Sequence, residues 1–167
     1  MKKIIVFLFI FMIISIVINE KENILIPKDA IRFRIIANSN SEEDQNLKLT
    51  IKSDLEEELY DIVSSAKTKK EARKIIENNI DKVDSILKKY NVHYDISYGN
   101  NYFPEKIYKG IKYSEGNYES LVIKLGEGLG KNWWCVLFPP LCQLDNVKNL
   151  ENNEYKFFVN DIINKFN

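Results

Sequence analysis

Residues 126–142 read GEGLGKNWWCVLFPPLC and bring together a glycine-rich loop, two adjacent tryptophans, an apolar run, two prolines and two cysteines. The run from 133 to 138 is predicted to be a β-strand, in which neighbouring side chains point to opposite faces of the sheet. One face carries Trp133, Cys135 and Leu137, and the other carries Trp134, Val136 and Phe138. Because both faces are apolar, the strand must be covered on both sides, either by this chain alone or with the help of a partner.

The pattern of apolar residues outside this stretch predicts three more strands and three helices. The strands are at 31–36, 92–98 and 121–125, and the helices are at 42–64, 69–90 and 155–166. The glycine loop (residues 126–130) is interpreted as a hairpin connection between the last two strands. The order β-α-α-β-β-β-α indicates an α+β fold, with a small, mainly antiparallel sheet and helices packed on one face.

The helices have recognisable apolar faces. Ser41 and Asp44 approximate a capping box at the start of the first helix. Its predicted buried stripe consists of Leu47, Ile51, Leu55, Leu59 and Ile62, with Leu49 off that face. The predicted apolar side of the last helix consists of Phe158, Ile162, Ile163 and Phe166.

The first 20 residues have the pattern of an export signal. Lys2 and Lys3 precede an apolar run from 4 to 18 that only Ser15 interrupts. As a helix this run spans about 22 Å, which is less than the roughly 30 Å hydrocarbon core of a bilayer. Because no small-residue cleavage site follows, two fates stay open: removal of residues 1–20 as a signal peptide, or their retention as an N-terminal membrane anchor helix. We expect residues 21–167 to form one exported domain.

Composition argues against two classes of partner. Hydrophobic residues make up 45% of the chain, enough for a real core. Without residues 1–20, which hold two lysines and one glutamate, 22 basic and 23 acidic side chains remain, a net charge of about −1. Nucleic acids and anionic membrane surfaces are therefore not expected as main partners of the exported domain, and the membrane is expected as a partner only through the N-terminal segment, if that segment is not cleaved.

The glycines at 126, 128 and 130 do not make a nucleotide site. The dinucleotide-binding fingerprint needs its third glycine at position 131 and a helix after it. Position 131 is a lysine, and a tryptophan-rich strand follows. We therefore predict a loop of special backbone geometry and no nucleotide cofactor.

Cys135 and Cys142 are the only cysteines. An even number in an exported chain favours a disulfide, and Pro139-Pro140 would turn the chain back so that the sulfurs meet. The alternative is two free thiols, with Cys135 as a small apolar core residue. A metal site is not expected, because two cysteines and the single distant His93 make a poor ligand set.

No group of residues in the sequence indicates an active site. His93 lies on the polar face of its predicted strand, which favours a surface or hydrogen-bonding role. Glu127 lies between two glycines, where it is either presented to a ligand or simply solvated. We therefore predict no catalytic residue, no metal and no cofactor.

Two blocks of the sequence resemble a known family. Residues 31–50, IRFRIIANSNSEEDQNLKLT, resemble its strand-loop-helix opening, and residues 115–142, EGNYESLVIKLGEGLGKNWWCVLFPPLC, resemble its second signature. The family is that of stage II sporulation protein R, and the resemblance extends over the exported part. It implies a protein made in the forespore and exported into the space between the two septal membranes. There it is expected to activate a membrane-embedded aspartic protease of the mother cell, which processes the precursor of the early mother-cell sigma factor.

The resemblance implies an activator and not an enzyme, and it supplies no catalytic residues. An activator without chemistry must bind one state of its target better than another. The candidate contact surface, interpreted from the residues themselves, lies near Trp133 or Trp134, with the glycine loop, Glu127 and Asn132 as its rim. Arg32 and Arg34 on the first strand form a second candidate surface.

Three alternatives stay open at this point. The first is that both tryptophans are core residues that contact no partner. A rival function is a septal cell-wall hydrolase that uses Glu127 or Cys135. A structural septal protein is the third, and it would show neither signalling nor wall turnover.

Overall fold

The computed structural model of the chain describes residues 24–108, 111–142 and 152–166. The expected signal peptide or anchor at 1–20 lies outside these residues. Within the described ranges, no helix has both the length and the hydropathy needed to cross a bilayer.

The described strands are seven in number, and the helices four. The strands are β1 (Ile24–Leu25), β2 (Ile31–Ile36), β3 (Tyr94–Phe103), β4 (Lys106–Tyr108), β5 (Ile111–Tyr113), β6 (Gly116–Leu125) and β7 (Asn132–Phe138). The helices are α1 (Glu42–Val63), α2 (Lys69–Asn78), α3 (Ile80–Leu87) and α4 (Asn152–Phe166).

These strands form two sheets. The larger has four strands in the order β3-β6-β2-β7, and the smaller has three in the order β1-β5-β4. In the larger sheet β3 and β7 run antiparallel to their neighbours, while the central pair β2 and β6 is parallel. The expected α+β class with a mainly antiparallel sheet is confirmed.

The hairpin expected at the glycine loop is wrong. β6 and β7 are consecutive in the chain but not neighbours in the sheet, because β2 is hydrogen-bonded between them. The glycine loop must therefore cross the end of β2 to reach the far side of that strand. This crossing brings the two family-like blocks, which are far apart in the sequence, to one end of the sheet.

The first three helices cover one face of the four-stranded sheet. The expected stripe of α1 is confirmed: Ile51, Leu55, Leu59 and Ile62 are buried against Phe33 and other strand residues in one core cluster. Leu49, off that stripe, is 49% exposed. Buried apolar area of this kind provides most of the stability of such a layer.

The single helix expected over 69–90 is divided in two at Asn79. The backbone of Asn79 leaves the helical region (φ −118°, ψ 14°), and its side-chain amide donates to the carbonyl oxygen of Ile75 at 2.8 Å. Asparagine side chains compete with the backbone for such hydrogen bonds, which explains why the helix restarts at Ile80.

The expectation that the helices pack on one face of the sheet is wrong for the last helix, although its Phe166 packs against Phe138 of the first core cluster. Tyr155, Val159 and Ile163 of α4 are buried in a second cluster, which includes Val136 from the other face of β7. The expectation that Phe158 is on the apolar side is wrong, since its side chain is 43% exposed. The strand β7 is thus covered on both faces by this chain, and α4 lies over the side that the other helices leave free.

One residue of β7 changes face. The pairing of β2 with β7 shifts between Ile31 and Arg32, so that Phe138 lies opposite Ile31 and joins the same core cluster as Leu137. The expected grouping of Phe138 with Trp134 and Val136 is therefore wrong. The irregularity acts as a β-bulge, which inserts an extra residue and reverses the alternation beyond it.

Helix α2 is tied to the sheet by a carboxylate. Glu119 on β6 accepts hydrogen bonds from the Arg73 guanidinium at 2.6 and 2.7 Å and from the Tyr98 hydroxyl at 2.6 Å. The Lys69 ammonium lies 3.2 Å away from the same carboxylate. Because the charged form receives these bonds, the hydrogen bond from Arg73 above all lowers the pKa of Glu119 to about 2.

This low pKa predicts a loss of stability in acid. The carboxylate of Glu119 stabilises the fold fully above its ordinary pKa of 4.5, and the contribution disappears as the pH falls from 4.5 towards about 2. Arg73 is 45% exposed, so solvent screening reduces the effect. When the pH falls from 7 to 3, the free energy of unfolding of the unchanged chain should decrease by about 1–2 kcal/mol more than that of the Glu119→Gln variant. Urea unfolding at both pH values measures this, and parallel losses in the two proteins would contradict it.

Candidate functional site

The glycine loop is fastened to the β2–α1 loop (residues 37–41) by backbone hydrogen bonds. The Leu129 amide donates to the Asn38 carbonyl oxygen at 3.0 Å, and the Gly130 amide donates to that of Ala37 at 2.9 Å. The Glu127 amide donates to the Asn38 side-chain oxygen at 3.0 Å. Two loops that are far apart in the sequence therefore form one hydrogen-bonded unit.

The glycines of this loop are required by geometry. Gly126 and Gly128 have φ values of 52° and 66°, in the left-handed region that favours glycine. Gly130 lies so close to the β2–α1 loop that a Cβ there would be 2.1 Å from the Ser39 carbonyl oxygen. These requirements, and not a phosphate, account for the run of glycines.

The β2–α1 loop is held by its own side chains. Ser41 caps α1 by accepting a hydrogen bond from the Asp44 amide at 3.2 Å. The Asn38 side-chain amide donates to the Asp44 carboxylate at 2.9 Å, and the Gln45 side-chain amide donates to the Ser39 carbonyl oxygen at 2.8 Å. The hydrogen bonds from Ser39, and then from Asn38, lower the pKa of Asp44. Asn38 thus connects the helix start to the glycine loop.

A buried lysine of α1 connects this helix to the end of the glycine loop. Lys48 is 5% exposed, and its ammonium donates to the Gln45 side-chain oxygen at 2.6 Å and to the Lys131 carbonyl oxygen at 3.0 Å. Burial, and secondarily the charge of Lys131, lowers the pKa of Lys48. Its role is structural, because both bonds position the chain that leaves the glycine loop.

The rigid loop presents an apolar tip. Leu129 is 78% exposed, and the side chains of Glu127, Lys131 and Asn132 around it are exposed as well. The candidate residues Glu127 and Asn132 are therefore brought together on one surface. Sequence reasoning missed Leu129. The signal that would have identified it is a single leucine within a run of glycines.

Trp133 and Trp134 are both half-buried and lie on opposite faces of the sheet. The Trp133 ring packs edge-on against Phe33 at 5.8 Å, with the Lys52 ammonium 5.0 Å from its centre. The Trp134 ring packs 5.3 Å from Phe103 on the other face. Each tryptophan is thus partly core, and their rings pack on opposite faces of the sheet.

Trp134 is part of a small cleft, which we call the aromatic cleft. It has a volume of about 110 Å³, and its lining includes Trp134, Tyr108, Tyr113, Tyr155 and Lys106. The Lys106 ammonium lies 5.2 Å from the centre of the Trp134 ring. Apart from Trp134, these residues come from short or weakly patterned segments and were missed by sequence reasoning.

The expectation that Arg32 forms part of an exposed surface is wrong. Arg32 is 0% exposed, and its guanidinium carbon lies 3.6 Å from the ring centre of Tyr118. The rings of Phe103, Trp134 and Tyr113 lie 5.0, 5.4 and 5.8 Å away and complete an aromatic cage. Burial lowers the pKa of Arg32. Cation–π attraction to these rings takes the place of the hydration that the Arg32 guanidinium loses when it is buried.

Arg34 is less deeply placed than Arg32. It is half-buried, with its guanidinium 4.6 Å from the Phe103 ring centre and a hydrogen bond of 3.4 Å to the Tyr102 carbonyl oxygen. Burial lowers the pKa of Arg34. Of the two arginines, only Arg34 reaches the surface.

Cys135 and Cys142 are bonded in a disulfide, with their Cα atoms 5.2 Å apart. The bond closes the Pro139-Pro140 turn onto β7, and both cysteines are buried. In this form Cys135 has no thiolate to act as a nucleophile.

His93 directly precedes β3, which lies at the edge of the sheet opposite to β7. Three strand spacings separate these two strands, so the edges are roughly 14 Å apart. Nor does any group of three or more potential ligands among the described residues suit a metal ion.

Comparison with known proteins identifies relatives. A family model described as stage II sporulation protein R matches residues 27–148. The stage II sporulation protein R of Bacillus subtilis (strain 168) is 39% identical over 133 residues, covering 76% of this chain and 59% of that protein. The match thus spans less than two thirds of the relative's own length. No solved structure matches.

Proposed function

The chain belongs to the stage II sporulation protein R family, which gives it a role in sporulation, and we propose that this role is to activate a protease from outside the cell that makes it. The protein is exported from the forespore into the septal intermembrane space. There it binds the membrane-embedded aspartic protease of the mother cell, which then processes the precursor of the early mother-cell sigma factor. The disulfide supports export, because such bonds persist in oxidising compartments.

The observation that carries this proposal is the exposed Leu129 on a loop that backbone hydrogen bonds hold against the β2–α1 loop. Both family-like blocks supply the hydrogen bonds that hold this loop, yet neither brings a catalytic constellation with it. An exposed apolar side chain surrounded by polar ones supplies an anchor that a partner can bury at the centre of an interface. Activator binding is thus the function that the geometry serves best.

The energy required is within reach of such a surface. Shifting a protease from about 1% to 99% active takes roughly 5.5 kcal/mol of differential affinity between its two states. A single hot-spot residue contributes about 2 kcal/mol or more when it is buried by the partner. Leu129 and a few neighbours therefore suffice, provided that they contact only the active state.

We expect Leu129→Ser to reduce activation about 30-fold, because burial of the leucine side chain in the receptor is lost. The readout is processing of the sigma-factor precursor in cells in which the full chain, the receptor protease and the precursor are the only components of the signalling system. Leu49→Ser is the matched control, since Leu49 is an exposed leucine on α1 and not part of the glycine loop. Normal processing with Leu129→Ser, or equal losses in both variants, would exclude the loop as the contact.

The rival hydrolase is tested by the same cells. With Cys135 in a disulfide, Glu127 is the remaining residue that the sequence suggested for that chemistry. We expect Glu127→Gln to release as little wall material as the unchanged chain does, because neither turns over the wall. Wall-fragment release that disappears in Glu127→Gln would favour the hydrolase instead.

A further inference from the structure

The aromatic cleft has the size of a site for one side chain. At about 110 Å³ it is well below the roughly 300 Å³ at which pockets for whole small molecules begin. Its rim is aromatic on one side, where Tyr108 of β4 is 37% exposed. An exposed aromatic rim around a small cleft is the form of a subsite within a protein interface.

The cleft is positively charged. Lys106 lies over two of its rings, with its ammonium 5.2 Å from the centre of Trp134 and 5.5 Å from that of Tyr108. No carboxylate is among the described residues that line the cleft. The ion pairs in the described part of the chain do not include Lys106 either.

A second cation lies behind the cleft wall. The Arg32 guanidinium is 5.4 Å from the Trp134 ring centre and 5.8 Å from that of Tyr113, and both rings also line the cleft. Arg32 is fully buried, and its Nε and one terminal nitrogen have no hydrogen-bond partner among the described residues. Its other terminal nitrogen donates to the neutral carbonyl oxygen of Ser114 at 3.3 Å. Aromatic rings surround the guanidinium, but no carboxylate in the described part of the chain pairs with it, so its field extends through the ring wall.

Such an arrangement is costly for a purely structural core. A buried charge without a counter-ion destabilises the fold, and an apolar side chain of similar volume is often at least as stable in its place. Arg34 adds a third cation on the same strand face, again stacked on a ring and without a carboxylate partner among the described residues. Lys106 at the cleft and Arg32 behind its wall favour a negatively charged group in whatever enters it.

We propose that the aromatic cleft is a carboxylate subsite that receives one aspartate or glutamate side chain of the receptor. The acidic side chain lays its methylene groups on the Trp134 ring, and its carboxylate pairs with the Lys106 ammonium in the field of Arg32. This inference rests on the proposed function, because it names a contact of the same activator with the same receptor. It adds a second contact, on the other face of β7 from Trp133, to the one at Leu129.

Binding to the subsite is measured without the receptor. The full chain, labelled with fluorotryptophan and held in detergent micelles, gives one fluorine resonance for each tryptophan, and Trp134→Phe assigns them. The probes are N-acetyl-glutamate methylamide and its glutamine analogue. We expect the glutamate probe to shift the Trp134 resonance at a concentration at least tenfold lower than the glutamine probe requires, because only the former can pair with Lys106.

Two variants complete the binding test. Lys106→Gln should abolish the preference for glutamate without affecting folding, since Lys106 is exposed, whereas Lys70→Gln, an exposed lysine on α2, should retain it. Equal responses to the two probes, or no response of Trp134 to either one, would overturn the subsite.

The failure of this inference can be told apart from failure of the proposed function. If glutamate binds at Trp134 but the chain never activates the protease, the subsite stands and the activator role falls. If the unchanged chain activates the protease and Lys106→Gln does so equally well, the activator role stands and the receptor does not use this cleft. We expect Lys106→Gln to reduce activation at least tenfold.

Discussion

Gly130→Ala is expected to lower the free energy of unfolding by about 3 kcal/mol or more and to abolish activation of the receptor. The new Cβ would lie 2.1 Å from the Ser39 carbonyl oxygen, 2.6 Å from its carbonyl carbon and 2.9 Å from the Ala37 Cβ. Two of these atoms belong to the backbone, and the Gly130 amide is hydrogen-bonded to the Ala37 carbonyl oxygen at 2.9 Å. The clash can therefore be relieved only by separating the two loops, which withdraws Leu129 from its position.

The matched control is Gly99→Ala. Gly99 lies in the edge strand β3, and a Cβ there would meet no atom within 4 Å. We expect it to change the free energy of unfolding by less than about 1 kcal/mol and to signal normally. Urea unfolding and precursor processing measure both quantities. A Gly130→Ala protein as stable as Gly99→Ala would mean that the loops do not pack as closely as the structure shows.

Loss of the disulfide is expected to cost about 2.5 kcal/mol, the chain-entropy value for a closed loop of this short length. Cys135 and Cys142 are seven positions apart, and the bond fixes the turn that brings Leu141 into the second core cluster. The double variant Cys135→Ala/Cys142→Ala should therefore unfold at a lower urea concentration. The walls of the aromatic cleft should loosen with it, because Cys135 and Leu141 both line that cleft.

Treatment with a reductant distinguishes the stability that the disulfide bond contributes from the stability that packing of the sulfur atoms contributes. Dithiothreitol should lower the stability of the unchanged chain and leave that of the double variant as it was. If the reductant changed neither protein, the bond would contribute nothing to the folded state. If it changed both, the effect would come from something other than this disulfide.

Local pattern was enough to predict the elements with a strong period. Strand β2, the stripe of α1 and strand β7 were all predicted from the spacing of apolar residues, and the apolar residues of each are buried or half-buried. The Ser41 cap was predicted because a hydroxyl three residues before an acidic position satisfies a free amide at a helix start. In these segments the local preference and the tertiary packing agree.

The order of the strands was not predictable in this way. A parallel pairing of β2 with β6 gives no local signal, because it depends on which distant segments meet. The two-residue and three-residue strands of the small sheet are too short to show any period. The hairpin expectation failed for the same reason, since two consecutive strands are neighbours in most sheets but not in this one.

The candidate site shows both the reach of sequence reasoning and its limit. The unusual composition around the glycine loop pointed to Glu127 and Asn132, which do lie at one exposed surface. Arg32 was misplaced because alternation along a strand assigns a charged residue to the solvent, and nothing local reveals the four rings around it. A cation among aromatic rings is a tertiary arrangement, and only the fold shows it.

The place of β2 between β6 and β7 has a consequence for biosynthesis. As the ribosome advances, β2 emerges first, and both strands that must flank it come from residues 116–138. In the nascent polypeptide both edges of the central strand therefore stay unpaired until most of the chain has been made, because β2 can pair only after the distant strands have been synthesised. We expect translation intermediates that stop before β6 to remain unfolded, the state in which a chain can be threaded through a narrow translocation channel.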